Sequence, residues 1–172
     1  MANLISYAKD AIMAVQMMDG AAGKVLPEQI ASIVKNHAKI AVATAFIPIG
    51  GLDIAAATAN VWTMYARINS KLELSFSENV MKSIGSAIVS NLTQNAGIIA
   101  IAAALKWTGA SLIASIATMT GALYALTLTS GIIYLKALTL MVRNDSDIDS
   151  AVKEALKDKN TINEHLNSKI KK

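Results

Sequence analysis

The hydrophobic pattern is dominated by one long stretch, residues 83–135, in which Lys106 is the only charged residue. As helices, the uncharged runs on either side of Lys106 are each long enough to cross a ~30 Å hydrocarbon layer. Lys106-Trp107-Thr108-Gly109 is the predicted turn between them. The pattern therefore predicts an apolar helical hairpin, with Lys106, Trp107 and Lys136 as anchors at the membrane interface.

A second, shorter apolar hairpin is predicted over residues 40–66. Its first arm is the second half of a helix that begins near Pro27, and its second arm is a helix that begins at Ile54. Its apex is formed by Pro48, Gly50 and Gly51, which interrupt a helix. Each arm is too short to cross a bilayer. Two interpretations stay open, a re-entrant hairpin and two packed helices of a soluble bundle.

Asp53 is the only charged residue between Lys39 and Arg67. Because it follows two glycines and precedes an uncharged helix, we interpret Asp53 as the cap of the helix that begins at Ile54. The alternative is an ion or proton role, since ionisable groups inside apolar stretches are costly and often functional.

Amphipathic segments flank the two hairpins. Residues 2–19 carry apolar side chains on one helical face, and residues 145–172 predict a final helix capped at Asn144-Asp145-Ser146-Asp147. Ser75 and Glu78 form a capping-box pattern at the start of the central hairpin. The sequence thus predicts one all-α domain over residues 1–172, with an N-terminal helix (1–26), a hairpin core (28–142) and a C-terminal helix (145–172).

Small residues recur at every third or fourth position of the central hairpin, as in membrane helices whose backbones approach closely. They are Ala96, Ala100 and Ala104 in the first run, and Ala114, Thr118, Gly121 and Ala125 in the second. These rows predict helix packing and self-association as a homo-oligomer.

Composition adds a reason to expect a membrane. Hydrophobic residues make up 53% of the chain and charged residues 16%, against about 25% charged in ordinary soluble domains. Lipid or a large oligomeric interface would cover the excess apolar surface. The net charge of +4 is scattered, which argues against a nucleic-acid partner and suits an anionic lipid surface. Every basic residue except Lys106 lies in segments 1–39, 67–82 and 136–172, which predicts that both termini are cytoplasmic.

Candidate chemistry is sparse. The chain has no cysteine, so thiol catalysis, disulfides and cysteine-bound metals are excluded. Gly20–Val25 lacks the spacing and the hydroxyl of a phosphate-binding loop. We interpret His37 and His165 as surface or capped histidines, since neither has a carboxylate at metal-site spacing. No catalytic residue, cofactor site or metal site is predicted, and an enzyme is the least favoured class.

Residues 48–53, Pro-Ile-Gly-Gly-Leu-Asp, resemble the Pro-Ile-Pro-Gly-Ala-Asp motif of the YcjF-type bacterial domain of unknown function. That domain is an apolar, membrane-associated helical module often found beside GTPase domains. Four positions match, with Gly50 in place of a proline and Leu52 in place of a small residue, and Met64 follows at a suitable distance. The resemblance covers residues 28–142. It implies a bacterial inner-membrane location and a GTPase or other cytoplasmic partner, and it implies no catalytic residue.

The leading hypothesis is a non-enzymatic, membrane-embedded helical protein that self-associates as a scaffold or membrane-remodelling component. An oligomeric pore is one alternative, with a polar stripe formed by Thr118, Thr120, Thr127, Thr129 and Ser130. A soluble all-helical homo-oligomer, or a module that binds a GTPase, is another.

Overall fold

The computed structural model describes residues 26–44, 52–74, 77–94 and 112–157, which form helices and short turns with no strand among them. The helices are α1 (Glu28–Thr44), α2 (Leu52–Lys71), α3 (Glu78–Gln94), α4 (Leu112–Asn144) and α5 (Ile148–Lys157). The all-α prediction is confirmed for these residues. The predicted N-terminal helix, the 48–51 apex and the 106–109 turn lie outside them.

Helix α1 begins close to its predicted position. The Pro27 carbonyl accepts from the Ala31 amide at 2.8 Å, which suits a residue that lacks an amide hydrogen of its own.

Side chains cap the starts of α3 and α5. The amide of Val80 donates to the Ser77 hydroxyl at 3.3 Å, so Ser77 caps α3, and the predicted cap Ser75 lies outside the described residues. At α5 the amide of Ser150 donates to the Asp147 carboxylate at 3.0 Å, which confirms a cap within the segment 144–147.

Helix α2 is longer than predicted, because the charged residues after position 66 continue the helix. Arg67 is exposed and Lys71 is the last helical residue. The helix ends in a turn where Glu73 adopts a positive φ of 53° and the Leu74 amide donates to the Asn69 carbonyl at 3.2 Å. This is the usual way in which the last carbonyls of a helix find partners.

The second run of the central hairpin is confirmed as a helix, and α4 continues to Asn144 with 33 residues. Asp145, at φ 49°, then turns the chain into α5. The structure describes α5 over Ile148–Lys157, and its buried residues Ala151, Val152 and Ala155 show that it packs against the bundle.

The directions of the helices follow from their contacts. The Cβ that an alanine would carry at Gly131 would lie 2.7 Å from Val34 and 3.3 Å from Met64. His37, three residues after Val34, contacts Asn60, four residues before Met64, so α1 and α2 are antiparallel. Contacts between α2 and α4 keep a constant separation of 65 residues, from Tyr65–Ser130 to Asn69–Tyr134. These two helices are therefore parallel.

The core lies where α1, α2, α3 and α4 meet, with α5 across the end of α3 and α4. Its fully buried large side chains include Met64, Tyr65, Ile84, Ile88 and Leu128. Burying one such side chain contributes roughly 1.5–3 kcal/mol. The central part of α4 is thus covered by protein, and the arrangement of two hairpins in lipid stays a prediction.

Candidate membrane-contact site

Charged residues are concentrated at one end of the bundle. This charged end contains the start of α1, the turn between α2 and α3, and the connection between α4 and α5. The opposite half, which we call the uncharged end, comprises residues 38–44, 52–59, 86–94 and 112–130. Within it only Lys39 and Asp53 carry a charge. Consecutive helices alternate in direction, and Gly85 of α3 lies beside Trp62 and Tyr65 of α2, so the uncharged halves of the four helices lie side by side.

Lys39 is the one charged residue among the exposed positions that the structure describes at the uncharged end. On α2 the exposed positions include Ala55 and Ala59, and on α3 they include Ala87. On α1 the exposed positions include Ile40, which is 49% exposed. Helices that face water usually carry charged or polar residues on the outer face. This surface is therefore better suited to lipid or to another protein than to water.

At the uncharged end, the described part of α4 reaches further than the described part of α1. Because Val34 lies beside Gly131, the end of α1 at Thr44 is level with a position near Gly121 of α4. At about 1.5 Å per residue, Leu112 then lies about 13 Å beyond the end of α1. A Cβ added at Gly121 would meet no atom within 4 Å, so the described helices leave that side of α4 open.

The length and composition of Leu123–Asn144 would allow it to cross a membrane, and no other segment of the described helices meets that criterion. However, 56% of this segment is buried inside the protein. The core helix of a soluble bundle meets the same criterion of length and composition.

Directly behind the uncharged end, a reciprocal pair of hydrogen bonds joins α1 to α2. The Asn60 amide group donates to the His37 carbonyl at 2.7 Å, and Asn60 Oδ1 accepts from His37 Nδ1 at 2.7 Å. The first bond orients the amide, so the proton of the second belongs to Nδ1. His37 is 2% exposed, and its Nε2 has no hydrogen-bond partner within the described part of the chain. The prediction of a surface or capped histidine is therefore wrong for His37.

Two further polar contacts join α2 to α4 in the interior. The hydroxyls of Tyr65 and Ser130 share a hydrogen bond, and the Tyr134 hydroxyl donates to Asn69 Oδ1 at 3.1 Å. The two tyrosine rings stack with centroids 4.0 Å apart, and Trp62 meets Tyr65 edge-on at 5.8 Å. These contacts set the register of α2 against α4, because a slip would leave buried polar groups unpaired.

Burial also keeps both tyrosines neutral. Burial raises the pKa of Tyr134 to about 12, against an opposing effect of its hydrogen bond to Asn69. Burial likewise raises the pKa of Tyr65, with Tyr134 adding to the rise and Ser130 opposing it. At the charged end, Lys82 holds the pKa of the Glu78 carboxyl below its usual range.

Few of the predicted site residues are brought together. Pro48, Gly50, Gly51, Ala96, Ala100, Ala104, Lys106 and Trp107 lie outside the described residues, as do the side chains of Asp53, Ala114 and Thr118. Asp53 itself lies in the first turn of α2, where a carboxylate is favourable. Gly121 and Ala125 lie on partly buried positions of α4, and Lys136 is partly buried in its other half.

The predicted polar stripe of a pore is used inside the fold. Thr127 donates to the Leu123 carbonyl at 2.8 Å, and Ser130 bonds Tyr65. Thr120 and Thr129 are buried as well. These four hydroxyls are thus buried within one chain, the side chain of Thr118 lies outside the described residues, and a pore between copies stays a prediction.

The contacts that sequence reasoning missed are His37–Asn60, Tyr65–Ser130 and Asn69–Tyr134. One signal was available, since Asn60 and Asn69 fall on the apolar face of α2, where an amide needs a buried partner. The identity of those partners depends on which helices meet, and the sequence alone does not specify it.

The described residues contain no group of three side chains able to hold a metal ion. Comparisons with family models, with curated proteins and with solved structures find no match for this chain. The resemblance to the YcjF-type domain therefore stays a prediction.

Proposed function

We propose that this chain is a non-enzymatic, membrane-associated helical protein that contacts lipid through its uncharged end and acts as a scaffold. The observation that carries the proposal is the segregation of charge along the bundle. The uncharged halves of α1, α2, α3 and α4 lie together in the described part of the chain. Placing this end against a bilayer removes water only from Lys39 and Asp53 among its charged residues. Lys39 lies near the end of α1 and Asp53 near the start of α2, where each can reach the interface.

The charged end would remain in water on the cytoplasmic side of a bacterial inner membrane. Its mixture of acidic and basic side chains suits a cytoplasmic protein partner, and the resemblance to YcjF-type domains suggests a GTPase. Self-association would use the open side of α4 at Gly121 and Ala125, where a second helix can approach closely.

A matched pair of charge insertions on α2 tests the lipid contact. Ala59 and Ser70 are both exposed, at the uncharged and the charged end respectively. In flotation with vesicles of anionic and zwitterionic lipid, we expect Ala59→Glu to lose binding and Ser70→Glu to retain it, since only the first places a new charge against lipid. Equal binding by the two variants would contradict the proposed orientation.

Environment-sensitive labels provide a second test, because the chain has no native cysteine. Ile40→Cys and Ser32→Cys place a fluorophore at two exposed positions of α1, eight residues apart. Vesicles should shift the emission of the label at position 40 to shorter wavelength and leave that at position 32 unchanged. Shifts at both positions, or at neither, would refute insertion through the uncharged end.

Self-association can be tested without disturbing the fold, because the Cβ position of Gly121 is open. Gly121→Ile should reduce cross-linking between copies in vesicles, whereas Gly121→Ala should retain most of it. Unchanged cross-linking in Gly121→Ile would exclude this side of α4 as the contact between copies.

A soluble helical assembly is the second candidate function. The burial of 56% of the Leu123–Asn144 segment within the protein favours it, since a core helix needs no lipid. Purification without detergent as a defined oligomer, together with no binding to vesicles of either composition, would establish this alternative.

A further inference from the structure

The buried imidazole of His37 is incompletely paired. Nδ1 donates to Asn60, whereas Nε2 lies in the interior without a partner among the described residues. Val34, one turn earlier on α1, contacts Gly131 of α4. His37 therefore lies close to the junction where α1 meets both α2 and α4.

A proton added at Nε2 would create a buried cation with a donor that lacks an acceptor. Burying a charge without a partner is far more costly than burying a neutral ring. The charged groups nearest in sequence are Lys35 and Lys39, both basic, and they add repulsion. Release of α1 would return the charged ring to water and remove both costs.

Within the described residues, no carboxylate lies close to His37 along α1 or along the two helices packed against it. Apart from the two lysines, α1 carries only Glu28, nine residues from His37 at the charged end. The ionisable residues on the two helices packed against α1 are Asp53, Tyr65, Arg67 and Lys71 on α2, and Tyr124, Tyr134, Lys136 and Arg143 on α4. Asp53 is the only acid among these, and it lies seven residues before Asn60, about 10 Å along α2.

We propose that proton uptake by His37 at mildly acidic pH releases α1 from α2 and α4, and that the apolar face of α4 thereby uncovered strengthens membrane association. The inference rests on the proposed function for its second half only. Its first half, the release of α1, is a property of the protein in water.

Hydrogen exchange of the α1 amides in the full-length, lipid-free protein tests the release. An imidazole in water takes up a proton near pH ~6.5, so linkage allows the released population to rise by up to ~30-fold between pH 7.5 and pH 5.0. We expect protection of α1, corrected for the intrinsic pH dependence of exchange, to fall over this interval in the wild type. His165→Gln serves as the matched control, since the chain has only two histidines, and it should behave as the wild type.

Two variants remove the titratable group in different ways. His37→Gln keeps a donor for Asn60, and the double variant His37→Leu/Asn60→Leu replaces the whole polar pair with apolar side chains. Both should show α1 protection that does not change between pH 7.5 and pH 5.0. The same loss of protection in either folded variant, or no loss in the wild type, would overturn the proposal.

Vesicle flotation at the same two pH values tests the consequence. Binding should increase at pH 5.0 for the wild type and His165→Gln and stay constant for the two His37 variants. If no form binds vesicles at either pH, the proposed membrane function fails, while hydrogen exchange still decides whether His37 controls α1. If binding occurs but does not follow α1 release, the switch is refuted and the membrane function stands.

Discussion

Two glycines of α4 provide a decisive test of which side of this helix is covered by protein. A Cβ at Gly131 would lie 2.7 and 2.8 Å from the two γ carbons of Val34, whereas a Cβ at Gly121 would meet nothing within 4 Å. Carbon atoms pack at about 3.5–4.0 Å, so Gly131→Ala forces α1 and α4 apart or moves Val34 from its rotamer. Gly121→Ala requires no movement.

The magnitudes can be compared directly because both glycines lie inside the same helix. Replacing a helical glycine by alanine gains about 0.5–1 kcal/mol from backbone entropy. Gly121→Ala should therefore stabilise the protein by about that amount. At Gly131 an overpacking cost of about 1–3 kcal/mol opposes the gain. The propensity term cancels in the comparison, so the two variants should differ by about 1–3 kcal/mol.

The assay is urea denaturation followed by circular dichroism at 222 nm, at pH 7.5 and without lipid. Val34→Ala provides an internal check, because the smaller side chain makes room for the added methyl group. Gly131→Ala should cost less in the Val34→Ala background than in the wild type, which a double-mutant cycle measures. Equal stability of Gly121→Ala and Gly131→Ala would refute the packing of α1 on α4, and the side of α4 at Gly131 would then be open to lipid.

Three further outcomes are expected. Tyr65→Phe should destabilise the fold by about 1–3 kcal/mol by leaving the buried Ser130 hydroxyl unpaired, and adding Ser130→Ala should recover part of the loss; equal losses in the single and double variants would count against the contact. Burial holds the pKa of Tyr134 near 12, above the ordinary value of 10.0, so the unfolded chain loses this proton first and the free energy of unfolding should decrease as pH rises above about 10. Between pH 9 and 11.5, the denaturation midpoint of Tyr134→Phe should fall less than that of the wild type, since the lysines titrate in both proteins. An equal fall in the two proteins would contradict the burial of Tyr134 in its neutral form. The Ser150 side chain and amide hold the pKa of the Asp147 carboxyl below its usual range, so its stabilising effect is present at neutral pH and lost as pH falls through that lowered pKa. Asp147→Ala should therefore lower the melting temperature at pH 7 more than at pH 2, whereas an equal effect at both would exclude the carboxylate cap.

Local sequence signals located the helices well where backbone chemistry decides the outcome. The proline at position 27 marks the start of α1. The hydroxyl that caps α3 belongs to Ser77, and only the position of the Val80 amide identifies it, because Ser75 and Ser77 offer the same group. The end of α2 was placed too early because Arg67 was taken to end the uncharged helix, although exposed charged residues suit the solvent face of a helix equally well.

The partners of each helix were beyond the reach of the sequence. Helix α4 is apolar on nearly every face, so its periodicity has no preferred side, and lipid and protein would cover it equally well. Only the contacts of Val34, Met64 and Tyr65 show that protein covers its central part. The histidine at position 37 illustrates the same limit, since its burial depends on Asn60, which lies 23 residues away.

The sequence by itself determined that the chain is helical, where most helices begin, and which halves of them lack charge, because these properties depend on residue type and local spacing. Only the tertiary structure decided that the uncharged halves meet at one end, that α1 packs on α4 at Gly131, and that His37 lies in the interior with Nε2 lacking a partner among the described residues. Those features depend on the directions and register of helices that are distant in sequence, and side-chain packing between helices sets both.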